Sequence, residues 1–119
     1  EENSFEEFSK VKSSDALICG DDLVCTDLAR LKEAIKYKSV NCIIIKPNQA
    51  GSLIRTKEVV DFAAKKGIAT VISHRSGETM DNTIAHLAVA WNIPYIKTGI
   101  FGDERQVKLK ELIKIEKEI

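Results

Sequence analysis

No stretch of this sequence approaches about 18 uninterrupted apolar residues, so no segment is expected to span a membrane. Cysteine is scarce as well. Cys19, Cys25 and Cys42 are an odd number, so they cannot close into a complete disulfide set, and no Cys-x-x-Cys spacing offers a zinc or redox site. They are expected to be small hydrophobes in a reducing cytoplasm. Net charge is missing too. Lysine and arginine number 18, aspartate and glutamate 18, and the formal charge is zero. That balance removes any electrostatic case for a nucleic-acid or membrane-surface partner. Aromatic residues are 6% of the chain, and Trp91 and the four phenylalanines are read as core rather than as a ligand cage. The first residues, Glu1-Glu2-Asn3-Ser4, are acidic and polar and do not resemble a secretion signal. They include no initiator methionine, which fits a chain that begins within something longer. No linker or low-complexity stretch interrupts the sequence, so residues 1–119 are expected to form one domain or part of one.

What is present is an ordinary globular composition. The 119 residues are 44% hydrophobic and 30% charged, enough to build a core and too apolar for a disordered chain. Short apolar runs occur at Ala16–Cys19, Cys42–Ile45, Ala69–Ile72 and Tyr95–Ile96. The first three suit strands buried on both faces. Between them the spacing turns helical. Leu28, Leu31 and Ile35 fall on one face, as do Ile84, Leu87, Ala88 and Trp91, and then Leu109, Leu112 and Ile113. Gly67 after Lys65-Lys66 has the chemistry of a helix C-terminus. Asn92 and Pro94 stop the helix that ends near Trp91. Asp103 with Gln106 three residues on reads as a capping box. The expected order is a helix followed by four strand–helix units. Such alternation implies parallel strands, since each crossover helix returns the chain to the same end of the sheet. A full (β/α)8 barrel takes about 250 residues. The chain is therefore expected to be α/β, either half a TIM-type barrel or a small open sheet.

In parallel α/β folds the chemistry sits at the C-terminal ends of the strands. Those ends are rich in polar residues here. They run Gly20-Asp21-Asp22, Lys46-Pro47-Asn48-Gln49, Ser73-His74-Arg75-Ser76-Gly77-Glu78-Thr79 and Lys97-Thr98-Gly99. Lys46 follows Ile43-Ile44-Ile45 and Lys97 follows Tyr95-Ile96, so both lysines are expected to leave an apolar interior and lose solvent. Arg75 and Ser76 at a strand–helix turn suit a phosphate, which binds helix N–H groups and a guanidinium. His86 falls within a helix and carries no assigned role. These residues point to an enzyme handling a small phosphorylated anion, with a divalent metal on the acids. They do not name the reaction.

At the same four strand ends, and in the tail Leu112-Ile113-Lys114-Ile115-Glu116-Lys117-Glu118-Ile119, the sequence resembles the enolase family. The run Ser73-His74-Arg75-Ser76-Gly77-Glu78-Thr79 is the most specific element. The resemblance implies four strand–helix units from the C-terminal half of a (β/α)8 barrel. It implies a Mg2+-dependent lyase that interconverts 2-phosphoglycerate and phosphoenolpyruvate in the cytoplasm, as a homo-oligomer. By that resemblance Asp21 is a magnesium ligand, Lys46 the base that removes the C2 proton, and His74 lines the site. Arg75 and Ser76 bind the phosphate, and Lys97 stabilises the substrate carboxylate. Enolase-type sites use a Lys or His base with one or two magnesium ions.

The residue types suit that reaction. A proton beside a carboxylate is very weakly acidic, so its removal needs a tuned base and positive charge on the carboxylate. The departures are mostly absences. Two further carboxylate metal ligands, a glutamate acid and an N-terminal domain have no counterpart here, and Glu1 and Glu2 are not assigned to metal. Pro47 stands where a branched apolar residue is more usual. On this reading the 119 residues alone are expected to be inactive. Two alternatives remain, another enolase-superfamily lyase and a non-catalytic half-barrel serving binding or assembly. The phosphate residues Arg75 and Ser76 weigh against the first, and the presence of Lys46, His74 and Lys97 against the second.

Overall fold

A computed structural model describes residues 2–11 and 15–119. In chain order the elements are α1 (Phe5–Ser9), β1 (Cys19–Gly20), α2 (Leu28–Lys36), β2 (Cys42–Ile45), α3 (Pro47–Ala50), α4 (Leu53–Lys65), β3 (Ala69–Ser73), α5 (Thr83–Ala90), β4 (Tyr95–Lys97) and α6 (Asp103–Glu118). The four strands are parallel and lie in sequential order, β1-β2-β3-β4. Cys19 pairs with Cys42 and Gly20 with Ile43. The architecture is the α/β alternation expected from the sequence. The chain divides into two compact units, one running to Val71 and the other starting at Ile72.

The first unit is built around β2. All four of its residues are buried, as an unbroken Cys-Ile-Ile-Ile run requires when both strand faces are covered. Leu31 and Ala34 of α2 and Val59, Val60 and Ala63 of α4 are buried as well, with Leu23 and Val24 from the loop after β1. Asp27 caps α2 by accepting a hydrogen bond from Arg30 N at 2.9 Å, and Ser52 caps α4 through Arg55 N. Each cap satisfies a donor that the helix start leaves unpaired. The extra helix α3 begins on Pro47, whose fixed φ suits the first helical position. Thus Pro47 starts a turn of helix and leaves Lys46 at the end of the strand. Helix α4 ends as expected, with Gly67 at φ +69°, a conformation that favours glycine.

Several expectations need correction. Strand β1 is shorter and later than Ala16–Cys19, and Leu17 is exposed. The cause is Asn41. Its side-chain oxygen accepts from Ile18 N at 2.6 Å, so that backbone donor is taken by a side chain instead of the sheet. The capping box at Asp103 does not form. Gly102 is the residue before the helix, Asp103 is already helical, and no side chain caps the start. Gln106 instead donates to Ile100 O. The apolar triad of α6 is not a core stripe either. Lys108 is the buried residue of this helix, and Ile113 is exposed. Of the four phenylalanines, Phe5 is buried, Phe8 and Phe62 are half-buried and Phe101 is exposed. Among the cysteines Cys42 is buried while Cys19 and Cys25 are half-buried. The second unit has a small core of Ile72, Ala85, Ala88 and Ile93. Among the described residues, no helix is long and apolar enough to cross a membrane.

Candidate active site

Strands β1 and β2 deliver the first two candidate residues. Asp21 follows β1 directly and Lys46 follows β2 directly. Because these strands are neighbours and parallel, their C-terminal ends lie side by side. Lys46 Nζ stands 2.7 Å from Asp21 Oδ1 and donates to Oδ2 at 2.9 Å. The side chains keep 15% and 34% of their exposure, so Lys46 has lost most of its solvent, as its position after three isoleucines predicts. Oδ1 of Asp21 is buried, with the Lys46 ammonium as its ion-pair partner.

A residue not singled out in the sequence holds the backbone of this pair. Thr26 is 3% exposed, and its hydroxyl accepts from Lys46 N at 2.9 Å and donates to Gln49 Oε1 at 3.3 Å. It does so from a left-handed conformation, φ +50°, directly after Cys25 at φ +52°. A β-branched residue there carries strain that its surroundings must hold in place. Cys25 donates its thiol hydrogen to Asp22 O. Burial pushes the Cys25 thiol up from its ordinary range, with the Arg30 charge opposing.

The second unit carries the remaining candidates. His74 follows β3 and is partly buried. Its Nδ1 lies 2.8 Å from Arg75 O and 2.9 Å from Glu78 Oε1. Arg75 and Ser76 are exposed, and among the described residues neither side chain makes a hydrogen bond or ion pair. Lys97 ends β4 and is exposed. The expectation that it loses solvent is not met by this chain, because β4 has no buried residue to either side of it. His86 meets Glu111 Oε1 at 3.1 Å, an α5–α6 contact. Asp81 accepts from Thr83 N at 2.8 Å just before α5. Hydrogen bonds from Thr83 hold its carboxyl below the ordinary carboxylate range.

Glu78 had no role in the sequence reading. Its side chain is 5% exposed and lies 3.3 Å from Arg105 Nε and 3.8 Å from Lys108 Nζ.

Parallel strands alternating with helices, with Asp21, Lys46, His74 and Lys97 each at the C-terminal end of its own strand, define a segment of a β/α-barrel enzyme. Residues 1–119 match the family described as enolase, C-terminal TIM barrel domain. The chain belongs to the enolase family. It is 51% identical over 120 residues to the enolase of Methanocorpusculum labreanum, covering 98% of this chain and 30% of that protein. The enolase of Methanosphaera stadtmanae is 50% identical over 122 residues, covering 100% and 30%. That of Halorubrum lacusprofundi is 49% identical over 118 residues, covering 97% and 30%. The chain thus spans about 30% of the length of these curated relatives.

Proposed function

We propose that this chain supplies the base-bearing part of an enolase active site, in an enzyme that converts 2-phosphoglycerate to phosphoenolpyruvate and back. The observation that carries the reading is the Asp21–Lys46 pair. A half-buried carboxylate and a lysine sit in contact at the ends of adjacent parallel strands. Family membership supports the reaction class, a hydro-lyase.

Lys46 acts as base only as the free amine, so the pair with Asp21 opens before proton abstraction. The amine then takes the C2 proton of the substrate. The electrons of that C–H bond move into the carboxylate, giving an ene-diolate. They return to form the C2=C3 bond as hydroxide leaves C3, protonated by an acid from outside these residues. Lys97 places positive charge on the carboxylate as it becomes a dianion. Arg75 and Ser76 hold the phosphate, the guanidinium as a two-pronged donor, and His74 lines the site.

The family reading includes Mg2+. Asp21 suits it, since its carboxylate at the strand end already faces a cation, Lys46 Nζ at 2.7 Å, and an oxygen ligand of this kind serves a hard cation once that pair opens. Bound there, the ion would neutralise charge developing on the substrate carboxylate. Among the described residues no group of three or more ligands is assembled to hold a metal, so Asp21 would be one ligand of a set completed by the rest of the enzyme. A cytoplasmic homo-oligomer is the assembly this reading implies.

The direct test is turnover. A full-length enolase carrying this segment, given Mg2+ and 2-phosphoglycerate, is expected to form product at an ordinary enzymatic rate of about 1–1,000 per second, followed by ultraviolet absorbance of the enol double bond. A folded, metal-loaded enzyme without turnover would remove the assignment.

Thr26 gives a second prediction. Thr26→Val keeps the shape and removes the hydroxyl that fixes Lys46 N. It is expected to lower kcat roughly 10- to 100-fold by misplacing the base, with KM changing less. Thr26→Ser should restore the rate. A valine variant with normal kcat would show that the hydroxyl does not position Lys46.

A further inference from the structure

The loop between β3 and α5 carries the phosphate residues, yet little within it holds it in shape. Arg75 and Ser76 make no side-chain hydrogen bond or ion pair among the described residues. Among the described residues no backbone–backbone hydrogen bond ends on residues 75–80. The restraints come from elsewhere in the second unit. Glu78 points its carboxylate inward, where both oxygens are buried. There Oε1 stands 2.9 Å from His74 Nδ1 and 3.8 Å from Lys108 Nζ, and Oε2 stands 3.3 Å from Arg105 Nε. Lys108 is 4% exposed. Its ammonium donates to Thr79 O at 3.0 Å and to Glu104 O. An ammonium this buried is costly unless its protons are taken up. One of those protons is taken by the loop's own backbone. The Arg105 stem reaches Glu78 by crossing Gly99, where a Cβ would come within 2.3 Å of Arg105 Cδ.

We propose that Glu78, Arg105 and Lys108 form a clamp by which helix α6 sets the conformation of the 74–79 loop, making Glu78 and Lys108 positioning residues for substrate phosphate binding. The proposal rests on the enolase reading for the identity of the ligand, and on geometry alone for the clamp. Lys108 acts at two points, charge against Glu78 and a hydrogen bond to Thr79 O, which are consecutive residues just past Arg75 and Ser76. Glu78 in turn orients His74. None of the three clamp residues needs to touch the substrate.

The loop loses part of its anchorage when Lys108 is replaced by methionine, which keeps the length and removes the ammonium. In a full-length enolase carrying this segment, Lys108→Met is expected to raise KM for 2-phosphoglycerate at least tenfold and to change kcat less than threefold. Loss of uniform binding leaves that signature. Lys108→Arg, which keeps the charge, should recover most of the affinity. Glu78→Gln is the second variant, near in shape and still able to accept hydrogen bonds, so it serves if the methionine variant does not fold. It should raise KM in the same direction. Amide hydrogen exchange read across residues 74–79 supplies a signal independent of turnover, and it should quicken there while α4 stays unchanged. Unchanged KM and unchanged exchange in a folded variant would overturn the clamp. If the unmodified enzyme failed to turn over 2-phosphoglycerate while exchange at 74–79 still quickened in the variants, the clamp would stand and the substrate assignment would fall.

Discussion

Replacing Lys46 with alanine in a full-length enolase carrying this segment is expected to lower turnover of 2-phosphoglycerate by at least ~10²–10⁴-fold, the usual loss when a general base is removed. Substrate binding should remain measurable. Arg75 and Ser76, the proposed phosphate ligands, lie in a different loop from Lys46. Asp21, freed of its 2.7 Å partner, keeps its carboxylate for the cation. The expected pattern is therefore a collapse of kcat with a much smaller change in affinity, seen by equilibrium binding of 2-phosphoglycerate to the inactive variant. A variant that lost affinity and rate together would place Lys46 in binding rather than in proton transfer.

The second large effect concerns the 119 residues by themselves. A polypeptide of this sequence is expected to show less than about one-hundredth of an ordinary turnover of roughly 10 per second, even with excess Mg2+. Among the described residues only Asp21 is a candidate ligand at the proposed site, and no group of three or more ligands is assembled. Hard cations need several oxygen ligands held in place. Lys97 is open to solvent, and Tyr95, Ile100 and Phe101 beside it are more than half exposed. Water there competes for every charge the reaction develops, whereas a closed site excludes it. Assay of the purified segment by product absorbance tests the point. Turnover near that of a complete enzyme would mean that these residues contain the whole catalytic apparatus.

Much of this arrangement was legible in the sequence because it follows from local rules. An all-apolar run such as Cys42–Ile45 has one stable placement, a strand covered on both faces, and the lysine that ends it marks the strand's C-terminal edge. Gly67 and Asn92 mark helix ends because their left-handed backbone, φ +69° and +53°, is accessible to few residues. What escaped depends on contacts between distant residues. Asn41 shortens β1 by taking the amide of a residue 23 positions away, which no periodicity reveals. Thr26 reads as an ordinary loop threonine until its hydroxyl is seen on Lys46 N, 20 positions on. Glu78 and Lys108 are charged, and charge alone argues for a solvated surface. Their burial becomes intelligible only when each is seen to neutralise and hold the other's neighbourhood. The capping box at Asp103 failed for a related reason. Ser, Thr and Asp cap a helix only when they precede it, and Gly102 occupies that place.

On the proposed reading Lys46 is the base for the C2 proton. The half-reaction that isolates this step is exchange of that proton with solvent. A full-length enolase carrying the segment would be incubated with Mg2+ and 2-phosphoglycerate in deuterated water, and loss of the C2 proton signal followed by NMR. The unmodified enzyme is expected to exchange the proton at a rate comparable to or faster than turnover. The Lys46→Ala enzyme, folded and still binding substrate, is expected to exchange it at least ~100-fold more slowly. Exchange at the unmodified rate in the alanine enzyme would contradict the claim, because some other group would then be taking the proton.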